Sequence, residues 1–474
     1  LFAAHPVAVE SVAWISELKN VLSGSLFLAA ALAWLWYDEG RRARSLALSI
    51  ALFMLACLAK GSVVMLPVAL AGVVVYRRGR LGRRDLAALA PLFAVALAAG
   101  VVNLWFQQHN ALAQGWGPSR GLVERLGGAG WALAFYLRTA FLPAALGFVH
   151  APWGVAPGSP LFLVPSALLL SGTALLIALR RRWTWVRPVC AGLAYHAVMV
   201  LPILGLVDLA YFRVGPVSNH LQYLALMGPV ALLAASAAVL TRRSRLAVPT
   251  AAAAALAFGL GSCQRGAEFH DDGRLWAAAV LDAPGNAFAH GQLAFLLSQR
   301  GDVAGARSEF AAAAEAAVEP ASRHMYRSWW LSSLGRPGEA AAEAHAALAS
   351  TSNPEVRHDA AEVLLRTGGS AEALSVAREL VAAAPASSEY TYLLANALWR
   401  ERRANEAVDV LRTFCRDHPG EPEMEKALGI VLARVGRLPE AYAHAAAIAG
   451  VEPGDPRAKA LLARWLEEPP STGR

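Results

Sequence analysis

The sequence predicts an all-α chain in two parts, a polytopic bundle of membrane helices followed by a solenoid of paired helices. Three observations carry this. Up to about residue 264 the chain is a series of long apolar stretches separated by short arginine-rich loops, and beyond it the chain is alanine-rich, charged and periodic. Hydrophobic residues make up 56% and charged residues only 16% of the 474 positions, where an ordinary soluble domain is roughly a quarter charged. In the C-terminal part, small residues recur at a fixed spacing.

A helix needs roughly 17–25 apolar residues to cross the hydrocarbon core. The candidate stretches are 20–37, 43–59, 62–76, 86–105, 129–148, 161–179, 188–207, 220–240 and 246–263. Pro67 and Pro91 fall inside or at the edge of spans, where neighbouring helices can re-satisfy freed backbone groups. The basic loops are Arg41-Arg42-Ala43-Arg44, Arg77 to Arg84, Arg180-Arg181-Arg182 with Arg187, and Arg242-Arg243-Ser244-Arg245. The positive-inside rule puts all four on the cytoplasmic side. Three apolar stretches lie between Arg84 and Arg180, and an odd number cannot return the chain to the same side. The stretch 129–148 carries Arg138 near its middle, at a cost of roughly 2.5–3.5 kcal/mol in lipid. It is therefore expected to be re-entrant or interfacial. Eight spans remain, which places residues 1–19 and everything after 263 outside the cytoplasm. The chain is thus expected to be integral to an inner or plasma membrane, with extracytoplasmic repeats. The net charge of +8 sits in loops at span ends, which argues for topology and against nucleic acid. Cys57, Cys190, Cys263 and Cys415 have no metal or redox spacing, so neither a disulfide framework nor a zinc site is expected. The chain opens at Leu1 within what reads as the tail of an apolar span, so a fragment is expected.

The second part keeps a register. Ala306, Ala340, Ala373, Ala407 and Ala441 are 33 or 34 residues apart, and twelve positions earlier stand Ala294, Ser328, Ala361, Ala395 and Gly429. Gly301, Gly335, Gly368 and Gly436 mark a turn, with Arg402 in that place once, and Pro385, Pro419 and Pro453 close units. This is the 34-residue tetratricopeptide pattern, in which small residues sit where two helices cross. The expected domains are a membrane part at 1–263, a connecting helix within 264–285, five repeats and a capping helix at 286–467, and a disordered tail at 468–474. Such solenoids offer a protein or peptide partner a concave face. The histidines His324, His345, His358 and His444 are scattered and read as surface residues.

Titratable residues gather on the expected outer side: His5, Glu10, Glu17, Lys19, Lys60, Arg120, Arg125, His150, Asp208, Arg213 and His220. Lys60 and His220 stand within or against apolar sequence, where ionisable side chains are costly and usually functional. In the opening His5-Pro6-Val7-Ala8-Val9-Glu10-Ser11-Val12-Ala13-Trp14, a helix starting near Val7 sets Glu10 and Trp14 on one face. A carboxylate, a histidine and the nearby Lys19 could bind a phosphorylated head group and an acceptor, or Glu10 and Lys19 could simply pair with neighbours.

This opening, the turn Leu58-Ala59-Lys60-Gly61-Ser62 to Leu66-Pro67, the link Leu275-Trp276 to Pro284 and the repeats together resemble the transmembrane-and-tetratricopeptide proteins. The eukaryotic members of that family are regarded as protein O-mannosyltransferases of the GT-C fold. The resemblance implies a GT-C-like bundle, a polyprenyl-phosphate-linked sugar as donor, a protein hydroxyl as acceptor and chemistry on the outer side. The family's acidic first outer loop would lie upstream of Leu1. Leu18-Lys19 stands where the family often has Arg-Lys, and Asn219-His220-Leu221-Gln222-Tyr223 where it often has an Asp-Arg-x-x-Tyr-like entry.

On that resemblance Glu10 is the candidate acid or acceptor positioner, helped by His5. Lys60, Arg213 and Arg138 are the candidate phosphate contacts, because a departing phosphate needs electrostatic stabilisation. Lys19, His220 and Tyr223 are candidate donor or acceptor contacts. The sequence names no metal site and leaves divalent-metal dependence open. The other reading is a non-catalytic membrane scaffold whose repeats recruit envelope proteins. Either way the partners are membrane lipid and a protein, with a lipid-linked sugar added in the first.

Overall fold

The computed structural model describes residues 1–107, 121–241, 247–452 and 454–467, apart from the side chains of residues 210, 213, 240, 241 and 247. All regular secondary structure among the described residues is helical. The chain forms two compact units, Leu1–Leu296 and Leu297–Arg474.

In the first unit, five segments are long and apolar enough to cross a membrane: Ile15–Gly40, Gly61–Arg78, Arg83–Phe106, Pro160–Leu179 and Val186–Ile203. Ala43–Ala59 and Met227–Val239 are shorter apolar helices. This is the helix inventory of an integral membrane protein. The α-helices are α1 (Val9–Ala13), α2 (Leu18–Gly40), α3 (Ala43–Ala59), α4 (Leu66–Arg78), α5 (Arg83–Phe106) and α6 (Leu122–Phe141). There follow α7 (Val164–Leu179), α8 (Val186–Val200), α9 (Met227–Thr241), α10 (Ala247–Glu268), α11 (Asp272–Asp282) and α12 (Ala287–Gln299), the last reaching past the unit's end.

Sequence chemistry explains several boundaries. Gly79, at φ 81°, ends α4 with a left-handed cap. Pro202 follows the end of α8, and Pro229 sits in the first turn of α9, where a missing N–H costs nothing. The stretch expected at 220–240 therefore opens as a short 3₁₀ turn at Asn219–Gln222 and becomes α-helix only at Met227. The stretch 129–148 lies partly in α6, which starts earlier at Leu122 and ends at Phe141.

The core joins Phe27, Trp34, Phe53, Leu66, Leu89, Leu92 and Tyr136. Helices α2 and α3 pack together, α5 packs on α3 and α4, α8 on α4, α6 on α7 and α9 on α8. Lipid gives helices little hydrophobic reason to associate, so close approach falls to small residues. A Cβ on Gly130 would lie 2.1 Å from Ser166 Oγ, and one on Gly228 would lie 2.4 Å from the Gly192 carbonyl oxygen. Helix α7 buries almost none of its apolar surface and exposes Leu168, Leu170 and Leu175, as a lipid-facing helix does.

The second unit is a stack of helix pairs: α13 (Val303–Ala316), α14 (Pro320–Ser333), α15 (Pro337–Ser350), α16 (Pro354–Thr367), α17 (Ser370–Ala383), α18 (Ser388–Arg400), α19 (Ala404–Asp417), α20 (Pro422–Arg434), α21 (Leu438–Ala449) and α22 (Pro456–Glu467). Each helix packs on the next, and α14, α16, α18, α20 and α22 also touch along one side. The recurring small residues Ala340, Ala361, Ala373, Ala395, Ala407 and Ala441 are buried, and Ser328 donates from Oγ to the Ala340 carbonyl at 2.7 Å. Gly301, Gly335, Gly368 and Gly436 all have positive φ, and Arg402 takes the same left-handed geometry at φ 61° in the glycine's place. Stacking is reinforced at repeat intervals by ion pairs between second helices, His345–Glu372, Arg378–Glu406 and Arg412–Glu440. Pro453 and the tail 468–474 lie outside the described residues.

Candidate functional site

The polar residues of the first unit converge on α1. Pro6–Ala8 is a 3₁₀ turn, and His5 caps it by accepting the Val7 N–H at Nδ1, 3.3 Å away. The other ring nitrogen of His5 lies 3.2 Å from the Ala140 carbonyl, and the ring meets Phe258 edge-on. Burial lowers the His5 pKa to about 4, which keeps the ring neutral and its role local.

Short α1 then carries Glu10 inward, only 1% exposed. One carboxylate oxygen accepts from Asn219 Nδ2 at 2.8 Å and Arg265 Nη2 at 2.9 Å. The other accepts the His220 backbone N–H at 3.1 Å and faces His220 Nδ1 at 3.3 Å. Burial pushes the Glu10 carboxyl up, but the His220 hydrogen bond, the Arg265 charge and Asn219 outweigh it and hold the group below its usual range. Glu10 is an ionised carboxylate with both oxygens occupied. Arg265 also pairs with Glu268 and stacks on Phe269 at 5.2 Å.

A second carboxylate sits beside it. Glu17 binds Lys60 Nζ at 2.8 Å, Lys19 Nζ at 3.1 Å and Asn20 Nδ2 at 2.7 Å, and lies 3.9 Å from His220 Nε2. Lys60 stands between α3 and the Gly61–Met65 turn, in extended geometry, with its side chain 12% exposed. Burial pushes its ammonium pKa down, and the Glu17 bond only partly restores it. Ser218 Oγ lies 2.7 Å from His220 Nδ1, and Trp14 and Tyr211 meet the His220 ring edge-on.

The structure thus brings together Glu10, Lys19, Lys60 and His220, with His5 one turn before them. Exposed Arg138 is not in the cluster: it caps the end of α6 through the Ala144 carbonyl at 3.3 Å and lies over Phe135. Tyr223 packs on Phe2 and against Gly24. Arg213 ends a 3₁₀ turn, and its side chain lies outside the described residues, as do His109, Trp116 and Arg120. Sequence reasoning passed over Arg265, Asn219, Glu17 and Asn20 as site residues. Arg265, just past the last apolar stretch, is the one of these with a local sequence signal. Among the described residues, no group of three or more His, Cys, Asp or Glu side chains could hold a metal ion.

A matching network closes the opposite end of α2. Asp38 binds Arg78 at 2.6 Å, and Asp85 binds Arg78 at 2.9 Å and Arg41 at 3.2 Å. The 23 residues of α2 span about 34 Å, close to the ~30 Å hydrocarbon core. Its two ionic ends therefore sit one bilayer apart.

In the repeat unit, the first helices share a chemistry. Glu355, Glu389 and Glu423 stand in their first turns and Arg366, Arg400 and Arg434 at their ends, each set at 34-residue intervals. Arg366 lies over the Trp329 ring at 5.0 Å and Arg434 over Trp399 at 5.9 Å, from neighbouring first helices. A shallow pocket of about 250 Å³ lies between His324, Leu331, Glu339 and Glu343.

No family model and no curated protein matches this chain. Solved structures similar to it include YrrB, a TPR protein with an unusual peptide-binding site, at 17% identity over 39% of this chain and 96% of that one, with a TM-score of 0.27. Pseudomonas aeruginosa pilF is similar at 22% identity over 44% and 94%, with a TM-score of 0.30, and yeast Tom70 at 10% over 92% and 87%, with a TM-score of 0.33. Likenesses this distant carry neither fold nor function. The helix pairs, the buried small residues and the 34-residue register make this a tetratricopeptide-repeat protein with several N-terminal apolar helices, associated with a membrane.

Proposed function

We propose that the protein is a membrane-anchored scaffold whose repeats hold a protein or peptide partner at the membrane surface. The observation that supports this best is a division of labour among polar groups. In the membrane unit, Glu10, Glu17, Asp38 and Asp85 are bound to cations of the same unit. In the repeats, Arg366, Arg400 and Arg434 remain exposed along one set of helices. By the arginine loops, the partner would be met outside the cytoplasm.

The convergence of Glu10, Lys19, Lys60 and His220 supports a second reading, transfer of a sugar from a polyprenyl-phosphate donor to a Ser or Thr hydroxyl. In that reading a base removes the hydroxyl proton and the oxygen attacks the anomeric carbon. The bond to the lipid phosphate breaks, and the phosphate leaves with the electron pair. Lys60, with Arg213, would meet that phosphate, while Arg138 stays at its own helix end. Glu10 would position the acceptor, with His5 holding the turn before it, and Lys19, His220 and Tyr223 would line the donor path. Glu10, already carrying Arg265, Asn219 and His220, is a poor proton acceptor, so the base would come from elsewhere.

One experiment separates the readings. A photo-crosslinking residue is placed at Arg400 on a first helix, or at the exposed Asp409 on a second helix, in the full chain in its native membrane. The scaffold reading expects one recurrent protein adduct from position 400 and none from 409. Equal labelling from both would refute it. If the purified chain binds a polyprenyl-phosphate sugar and Lys60→Met abolishes that binding, sugar transfer becomes the better account.

A further inference from the structure

Four helix ends of the membrane unit form a basic patch that the fold only partly neutralises. Asp38 and Asp85 are buried and bind Arg41, Arg77 and Arg78. This latch ties the ends of α2 and α4 to the start of α5. Around it stand Arg42, Arg44, Arg80, Arg83 and Arg84, all exposed and none paired with a described residue. Eight arginines thus surround three acids, Asp38, Glu39 and Asp85.

The depth of the patch is set by its neighbours. Trp36 on α2 and Tyr76 on α4 are 52% and 49% exposed, within two turns of the arginines. Exposed tryptophan and tyrosine mark the membrane–water interface. Leu48 on α3 and Leu86 on α5 are also exposed. All four helices therefore pass from lipid-facing apolar side chains to free guanidinium groups within a few residues.

We propose that this patch binds anionic phospholipid headgroups. The free cations are all arginines, whose planar forks match phosphate oxygens in pairs. They ring a buried acidic latch that fixes their spacing, and they lie at headgroup depth, where an acidic peptide would have to displace lipid to reach them. A zwitterionic headgroup would leave the excess positive charge unbalanced.

The test uses the full chain, purified in mild detergent and mixed with phosphatidylglycerol and phosphatidylethanolamine, with retained lipid counted by native mass spectrometry. The triple variant Arg80→Gln/Arg83→Gln/Arg84→Gln leaves the latch intact. Juxtamembrane cations each favour anionic lipid enough that this variant should lose phosphatidylglycerol retention on the order of a hundredfold. Phosphatidylethanolamine retention should not change. The same positions changed to lysine keep the charge but not the fork, so they should retain clearly more phosphatidylglycerol than the glutamine variant and less than the parent, which separates loss of charge from misfolding. As a comparison, Arg180→Gln/Arg181→Gln/Arg182→Gln removes equal charge from another exposed loop. Equal loss from both glutamine variants would mean diffuse attraction and overturn the site. Retention by the first variant at the parent level would overturn it as well. Displacement of the lipid by inorganic phosphate at matched ionic strength would reassign the patch to a free anion.

Discussion

The bond between Glu10 and Arg265 offers the sharpest test of how the membrane unit is held. Glu10 is 1% and Arg265 5% exposed, and the two meet at 2.9 Å across 255 positions of chain. Removing one partner of a buried pair costs about 3–5 kcal/mol, whereas an exposed pair contributes roughly 0–1. In Arg265→Met the carboxylate keeps Asn219 and both His220 contacts, so the loss should lie near the lower figure, about 3 kcal/mol. Glu10→Gln keeps the shape of the side chain but leaves Glu268 as the carboxylate partner of Arg265, and a similar loss is expected. The double variant removes both charges together. It should be less damaged than the sum of the two by about 2 kcal/mol or more. The assay is unfolding of the purified protein in mixed micelles, followed by tryptophan fluorescence, for all four corners of the cycle. A coupling below about 0.5 kcal/mol would refute the claim that this buried bond joins α1 to α10.

Two further outcomes follow from the packing. Gly130→Ala should destabilise the α6–α7 crossing by about 1–3 kcal/mol, because the new methyl meets the Ser166 backbone nitrogen at 2.6 Å. Gly128→Ala, with nothing within 4 Å, should be neutral or slightly stabilising in the same assay. In the repeats, burial raises the Glu362 pKa to about 7; His358 opposes this, while Asp359 and Glu389 add to it. An acid raised on folding contributes stability that is complete below its unfolded value and is lost as pH rises through the folded one. His358, raised by Asp359 against the effect of burial, has the same sign. Hydrogen-exchange protection of α16 and α18, corrected for intrinsic rates, should therefore fall between about pH 4.5 and 7 by on the order of 2 kcal/mol. Glu362→Gln should flatten that slope, and an unchanged slope would sink the assignment.

The repeats were legible because their packing is local. Ala340, Ala361 and Ala373 reveal themselves by spacing alone, since each crossing joins residues of one or two adjacent helices. Membrane helices were legible for a similar reason, length and apolarity being properties of one segment. The polar cluster was legible only in part. Lys60 and His220 stood out against apolar sequence, and His5 and Glu10 through the opening motif. Their fixing partners did not stand out, because Arg265 and Asn219 reach Glu10 across 255 and 209 positions. Nothing in a local pattern encodes such a pairing. Arg138 misled for the opposite reason: an arginine in an apolar stretch suggests a site, yet it closes its own helix end.

The bond that ties Glu10 to Arg265 also bears on how the protein is made. A ribosome inserts α1 and α2 long before it reaches residue 265. Throughout that interval Glu10 lacks Arg265, whereas Glu17 gains Lys60 as soon as the first hairpin, α2 with α3, is complete. Until Arg265 arrives the Glu10 carboxylate is without its buried cation, while Glu17 already has Lys19 and Asn20 from its own segment. Closure of α1 on α10 is therefore the last of these contacts that the growing chain can make.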